Sequence, residues 1–397
     1  MKQTKLVKIL QIGFLAGIAL LLLCSLLKAY VFPKDVNYYE NRKAIQPPTL
    51  SASGFLSSQF QDGLEDSLAD QVFGAERLKK GYHSLESSLS FYALKGLYAA
   101  YPNRYFRYNR VLVFDSDYLL YEPRPLTEES QAAFDRKLAS IASVAKEHPE
   151  LDINLFYIEK DTDRNFETGE SCGNYSYIAS HSDPTLYSLS CYTIDSFRAF
   201  SESFYKTDHH WNHEGSYRAY LQLCQELSLS DPMKKGEEFT VAPHLEGSKL
   251  ALAQNTTAFS EPMYAYRYAF PSMEITVNGE SVKDYGQQNE NADAVYAMGA
   301  PMTYGQYYGS DMGEVLFCTG NENKDNILII GESYDNAILK LLATHFNETC
   351  SVDLRYYEHY MGKPFDFDTY VRDHEIDRVL FIGNIDFFTM DEFNVGG

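Results

Sequence analysis

The apolar run from Ile9 to Phe32, broken only by Gln11, Ser25 and Lys28 and preceded by Lys2, Lys5 and Lys8, constrains this chain more than any other feature. At about 1.5 Å per residue, a helix of that length crosses a hydrocarbon core of about 30 Å, with Lys28 near its outer end able to snorkel to water. The leading lysines hold the amino terminus in the cytoplasm and put the rest of the chain outside. A cleaved signal peptide is the rival reading, but Leu26-Leu27-Lys28-Ala29-Tyr30 offers no small-x-small site. Cys24 follows a leucine, which argues against a lipoprotein anchor. Residues 1–32 are therefore expected to be a retained membrane anchor with the remainder extracytoplasmic.

Five further cysteines, Cys172, Cys191, Cys224, Cys318 and Cys350, then lie where disulfides persist. None forms a CxxC pair. Cys172 and Cys191 flank a loop-like stretch and could be bridged, but an odd number leaves at least one thiol over, and all five read as structural. The formal charge of −21, with both signs mixed and no basic stripe, argues against nucleic acid or an anionic membrane surface as the main partner. The 32 tyrosines lean towards a wet, hydrogen-bonding surface such as one that holds sugars.

Residues 33–100 read as a juxtamembrane linker followed by helices: Pro33 to Ser53 is polar, Phe60, Leu64, Leu68 and Val72 make one apolar stripe, and Ala75 to Tyr92 continues it. From residue 101 the pattern changes. Val111–Phe114 reads as a first strand, Phe134, Leu138, Ile141 and Ala145 recur at helical spacing, and Ile153–Ile158 is the next strand. The alternation returns with strand Ile327–Ile330, a helix facing inward with Ile338, Leu341, Leu342 and His345, strand Val352–Leu354, a helix around Thr369–Arg372 and strand Val379–Ile382. Strand, helix, strand repeats predict an α/β fold, a parallel sheet covered by helices, over residues 101–397. Residues 228–325, rich in Tyr, Gly and Asn with a hairpin turn at Asn278-Gly279, are expected to elaborate the core sheet or form a small β-rich insertion.

Two segments carry chemistry. In Gly331-Glu332-Ser333-Tyr334-Asp335 the serine follows a buried strand and opens a helix, at the carboxyl end of a parallel strand where such sheets place ligands. Its N–H at a helix amino terminus suits a developing oxyanion, although a serine there can simply cap the helix. In Thr207-Asp208-His209-His210-Trp211-Asn212, an extended backbone would project Asp208 and His210 to one side, a carboxylate orienting an imidazole base. Asn212 reads as the cap of a helix facing inward with Tyr217, Leu221, Cys224 and Leu227. Asp208, His209, His210 and His213 could instead hold a metal, though adjacent histidines diverge on an extended backbone; a purely structural role is the third reading.

Asp208-His209-His210-Trp211, the strand-borne Ile329-Ile330-Gly331-Glu332-Ser333-Tyr334-Asp335-Asn336 and Val352-Asp353-Leu354-Arg355-Tyr356-Tyr357 together resemble the DHHW proteins, relatives of the SGNH-like alginate O-acetyltransferase group. Glu40-Asn41-Arg42 and the segment from Phe60 to Leu78 are similar to that family's region just outside the membrane. The resemblance implies an SGNH-hydrolase-like, flavodoxin-like sheet with helices on both faces, Ser333 as nucleophile, His210 as general base and Asp208 as its orienting carboxylate. Asp and His precede Ser, the reverse of the common SGNH order but that of the alginate-acetylating relatives. Two departures are Glu332 where an aspartate is usual and Asp-x-His in place of Asp-x-x-His. Gly383-Asn384 resembles the Gly-x-Asn-Asp block one residue short, which makes Asn384 the oxyanion candidate with Tyr334 and Asn336 as substitutes, and His209, Trp211 and Arg355 further substrate candidates. The resemblance implies an extracytoplasmic O-acyltransferase, O-acetyl in the first instance, acting on hydroxyls of a cell-surface or secreted polysaccharide through an acyl-serine. A multi-pass membrane O-acyltransferase would deliver the acyl group. The alternatives are an SGNH-type carbohydrate acetyl esterase and a non-catalytic glycan-binding or assembly subunit. No soluble cofactor or metal is expected.

Overall fold

The computed structural model describes residues 2–34, 36–37, 42–71, 75–99, 101, 103–115, 117–254, 258–286, 296 and 299–395. They fall into two compact units, residues 1–92 and 93–397. In the first, helix α1 spans Lys2–Val31, and its Leu10–Val31 stretch of 22 residues is, among the described residues, the one long and apolar enough to cross a membrane. Strands β1 (Val36–Asn37) and β2 (Arg42–Lys43) pair antiparallel beyond it. Helix α2 (Ala52–Leu56) is capped by Ser51, and α3 (Gln59–Gln71) follows. The polar linker is tied down: the Lys34 N–H donates to Gln71 Oε1 at 2.9 Å and the Ile45 N–H to Asp70 Oδ2 at 2.9 Å. Val72, Glu40 and Asn41 lie outside the described residues. Helix α4 (Ala75–Tyr98) is longer than the pattern to Tyr92 predicts and contains the boundary between the units.

The second unit begins with β3 (Phe106–Tyr108), β4 (Val111–Phe114) and β5 (Tyr118–Leu120), an antiparallel sheet of their own. Val111–Phe114 therefore does not open the parallel sheet as expected: short turns join it to neighbours reachable by hairpin, whereas a parallel partner needs a long crossover. Then come α5 (Glu128–Glu147), β6 (Asp152–Ile158), α6 (Asn174–His181), β7 (Ser188–Tyr192), α7 (Phe197–Ser203) and α8 (His213–Glu226). Residues 228–325 carry β8 (Glu238–Ala242), α9 (Ser248–Ala253), β9 (Met263–Tyr266), β10 (Glu274–Val277), β11 (Glu280–Val282), α10 (Tyr304–Tyr308) and β12 (Glu314–Cys318). The chain ends with β13 (Ile327–Ile330), α11 (Asn336–Ala343), β14 (Glu348–Val352), α12 (Leu354–Met361), α13 (Phe367–Asp373), β15 (Arg378–Gly383) and α14 (Ile385–Thr389).

Eight strands form the main sheet in the order β11-β10-β12-β14-β13-β15-β6-β7. β14, β13, β15, β6 and β7 run parallel, while β12, β10 and β11 extend the β14 edge antiparallel. Numbered from β13, the parallel strands lie 2-1-3-4-5 across the sheet, the flavodoxin-like order. The chain enters that order at its fourth strand, β6, and reaches the first only after residues 228–325. The loop beyond the fifth strand, which holds Asp208 and His210, thus precedes Ser333 in sequence.

Alternate residues of each central strand feed two cores. Ile327, Ile329, Leu380 and Ile382 pack with α8 and α11 on one face, and Leu328, Ile330, Val379 and Phe381 with α5, α6 and α13 on the other. A strand covered on both faces has no polar side, which is why Ile327–Ile330 reads as an unbroken apolar run.

Residues 228–325 do both things the sequence allows. β10 to β12 lengthen the core sheet, and β8 pairs with β9 apart from it. The Asn278-Gly279 turn joins β10 to β11 with φ of 49° and 81°, the left-handed pair that a tight hairpin needs. Two local expectations shift: strand β14 stops at Val352, because Asp353 caps α12 through the Arg355 N–H, and His345 lies past the end of α11. Cys172 and Cys191 are unbridged.

Candidate active site

Ser333 stands in the turn between β13 and α11, closed by the Asp335 N–H donating to the Glu332 carbonyl at 2.9 Å. Asp335, not Ser333, is the cap residue of α11, which removes the capping explanation of the serine. His210 reaches it from the loop between α7 and α8. Ser333 Oγ is 2.8 Å from His210 Nε2, and His210 Nδ1 is 2.6 Å from Asp208 Oδ1. With Nδ1–H donating to the carboxylate, Nε2 is left to accept from the serine hydroxyl.

The loop takes its shape from both ends. Phe204 and Trp211 bridge antiparallel, the Tyr205 N–H donates to the His210 carbonyl at 3.2 Å, and Asn212 caps α8 by accepting from the Glu214 and Gly215 N–H groups. Between these ties the backbone is bent, not extended. Asp208 Oδ1 accepts from the His210 N–H at 2.9 Å as well as from its ring, a turn in which an Asp side chain bonds its own chain two residues on. The expectation that His209 and His210 diverge is thereby corrected: their ring centroids are 3.8 Å apart.

Residues 228–325 contribute what sequence reasoning missed. The Ser248 N–H donates to Asp208 Oδ2 at 2.7 Å, and the Ser248 hydroxyl is 2.6 Å from His209 Nδ1. Tyr304 lies flat against His210, with ring centroids 3.8 Å apart and planes 3° from parallel. Nothing in the sequence marks Tyr304, one of many tyrosines in a segment without periodicity. Gly247 admits the close approach: a Cβ there would stand 2.2 Å from the Thr207 carbonyl oxygen and 2.8 Å from Asp208 N. Gly247→Ala must push that backbone aside. Because a shift of about 1 Å at a catalytic group costs about 10²-fold, turnover of an activated ester by Gly247→Ala is expected to fall by about that factor while far-ultraviolet circular dichroism stays unchanged.

Ser333 and His210 open on a cleft of about 420 Å³ lined by Lys160, His209, Glu332, Asn336, Arg355 and Asn384 among others, with Asp208 buried behind them. Asn384, at the end of β15, donates to Glu332 Oε1 from its backbone N–H at 2.9 Å and from its side-chain amide. Glu332 thus ties the serine turn to the Asn384 turn. Asn336 Nδ2 donates to the Gly309 carbonyl at 3.1 Å, and Arg355 is held by Asp353 at 2.5 Å and Asp311 at 3.2 Å. Tyr334 and Trp211 stand apart from the cleft. Both are fully buried, and the Tyr334 hydroxyl donates to the His209 carbonyl, so they brace the loop instead of meeting a substrate.

Burial alone would raise the Asp208 carboxyl, but the charge and hydrogen bonds of His210, with His209 beside it, hold it well below the ordinary range. His209 is pushed well below the usual imidazole value by burial and then by neighbouring His210. Burial works against the Lys160 ammonium, yet Asp386, 3.2 Å away, with Asp161 and Glu332, outweighs it and raises its pKa. Glu332 is raised by burial, with Lys160 opposing. Lys160 and Asp386 are cleft residues that no sequence motif marked.

Asp208, His209 and His210 each present a possible metal-binding atom within 4.8 Å of the others, so diverging side chains no longer argue against an ion. Both ring nitrogens of His210 are already committed, to Asp208 and Ser333, and an ion would replace that chain instead of joining it. His213 turns away to Glu238 at 2.8 Å.

No protein-family profile matches this chain, and no curated protein does. Solved structures do. The structure of Bacillus cereus PatB1 with a sulfonyl adduct is similar at 19% identity and a TM-score of 0.56, covering 72% of this chain and 98% of that one. A DHHW family protein from Eubacterium siraeum is similar at 15% identity and a TM-score of 0.53, covering 73% and 95%. The O-acetyltransferase domain of Pseudomonas putida AlgJ, at 10% identity and a TM-score of 0.42 over 71% and 92%, is too distant to carry an argument. The chain has the fold of the DHHW family protein, as the sequence resemblance implied.

Proposed function

We propose that this protein transfers an acyl group, acetyl in the first instance, to hydroxyls of a surface or secreted glycan through an acyl-Ser333 intermediate. The observation that carries this reading is the chain from Ser333 Oγ through His210 to Asp208, 2.8 and 2.6 Å, at the mouth of a cleft. His210 Nε2 takes the serine proton as Oγ attacks the acyl carbonyl, and returns it to the departing oxygen. In the second half the same nitrogen takes the proton of an acceptor hydroxyl as that oxygen attacks the ester, and returns it to Oγ as the acyl–serine bond breaks and Ser333 is freed. Among the described residues no carbonyl accepts from the Ser333 N–H, which suits that group to the developing oxyanion. Helix α1 would hold the enzyme in the membrane with its cleft outside, where a multi-pass membrane protein could supply the acyl group.

Sulfonyl groups are captured by activated nucleophiles, and PatB1 carries such an adduct. A sulfonyl fluoride is therefore expected to modify Ser333 of the full-length protein in detergent. With p-nitrophenyl acetate as donor and cello- or chito-oligosaccharides as acceptors, mass spectrometry should find acetylated sugar. Free acetate alone, whatever the acceptor, would make the protein an esterase, and absence of both labelling and turnover would leave a glycan-binding subunit.

A further inference from the structure

Glu348, Cys350 and His374 meet where the interior strand β14 begins, at the end of the strands away from Ser333. Glu348 and Cys350 alternate onto one face of β14, and His374 follows α13, which packs on that face. His374 Nδ1 is 2.5 Å and Cys350 Sγ 3.3 Å from the same oxygen, Glu348 Oε1. Cys318, the last residue of β12, stands directly across the ladder from Glu348 on the same face, but its sulfur lies outside the group of three, whose ligand atoms are within 4.8 Å of one another. Cys350 is fully buried, while the Glu348 and His374 side chains are 27% and 25% exposed, so the group is closed behind and open in front.

We propose that these residues bind one Zn²⁺, with Cys350, His374 and Glu348 as ligands and Cys318, which has to turn its side chain to join them, as the fourth. Thiolate, imidazole and carboxylate are the donors zinc takes, and tetrahedral bonds of about 2.0–2.3 Å set donor atoms about 3.3–3.8 Å apart. The Cys350–Glu348 spacing already has that value, and the His374–Glu348 contact has to open by about 1 Å. The thiol protons and the hydrogen between Nδ1 and the carboxylate leave as the ion enters. Tyr370 stacks on the His374 ring at 4.3 Å and gives its hydroxyl to Glu314 at 2.9 Å, which sets the ring plane; the same hydroxyl lies within hydrogen-bond reach of the Cys350 sulfur. An ion here would fasten α13 to β14 and β12, far from the cleft.

Metal-stripped full-length protein in detergent, titrated with Co²⁺, is expected to take up one equivalent with a thiolate-to-cobalt charge-transfer band and tetrahedral visible bands, both erased by Zn²⁺. Cys350→Ser should abolish the charge-transfer band. His374→Gln, at a partly exposed side chain whose loss spares the core, should weaken Co²⁺ binding at least about tenfold. His209→Ala should leave both unchanged, which separates this site from the Asp208, His209 and His210 group. Co²⁺ binding without a thiolate band, a band that survives Cys350→Ser, or a Cys318–Cys350 disulfide in an unreduced digest would overturn the assignment.

Discussion

Ser333→Ala is expected to lower p-nitrophenyl acetate turnover by at least about 10³-fold, the scale on which serine enzymes lose rate when the nucleophile goes. His210→Ala should lose as much, and the double variant no more than either, because the proposed nucleophile and base would act as one unit. Asp208→Asn keeps the shape of the loop but can hold the imidazole in the wrong tautomer, with an expected loss of about 10²–10⁴-fold. A folding defect is a poor alternative for the serine: Ser333 is half-buried in a turn whose closing bond is made by backbone atoms, so thermal unfolding should be unchanged. Equal rates in wild type and Ser333→Ala would return the serine to a turn residue and the protein to a binding role.

Asp161→Leu is expected to have the largest effect on stability, a loss of about 3–5 kcal/mol in urea unfolding of the full-length protein. Lys249 Nζ is 2.6 Å from Asp161 Oδ2, with both side chains at 0% exposure. A charge taken out of water regains its hydration only from such a partner. Without Asp161 the ammonium is left against the rings of Tyr121 and Phe200, each 5.3 Å away, and the Tyr121 N–H loses an acceptor at 2.8 Å. Asp161→Leu with Lys249→Met should recover most of the loss, since an apolar pair of similar volume is about neutral. A single variant within about 1 kcal/mol of wild type would mean that water reaches Lys249. The pair also holds α9, whose first residue, Ser248, bonds Asp208, so Asp161→Leu should slow turnover below its unfolding midpoint as well.

Much of this was legible residue by residue. The apolar run of α1, the buried strand Ile327–Ile330, the Asn212 cap and the Asn278-Gly279 turn all have the conformations their own residues imply. Each depends on chemistry within a few residues, whether side-chain period, a cap bond or a left-handed φ. Val111–Phe114 was legible as a strand but not as a member of a separate sheet, because a strand's pattern says which face is buried and not which strand lies beside it. The DHHW segment misled for a different reason: alternation assumes an extended chain, and two bonds from the Asp208 carboxylate bend it.

By itself the sequence determined the apolar helix α1, the central strands and several of the helices beside them, and the residue types that can act as nucleophile, base and carboxylate. Only the tertiary structure decided that Ser333 meets His210 across 123 positions, that Ser248 and Tyr304 from residues 228–325 complete their surroundings, and that Tyr334 and Trp211 are walled off. Those contacts arise from the order of strands in the sheet. That order is chosen by which apolar faces can be buried together over long loops, a property of the whole chain that no local window contains.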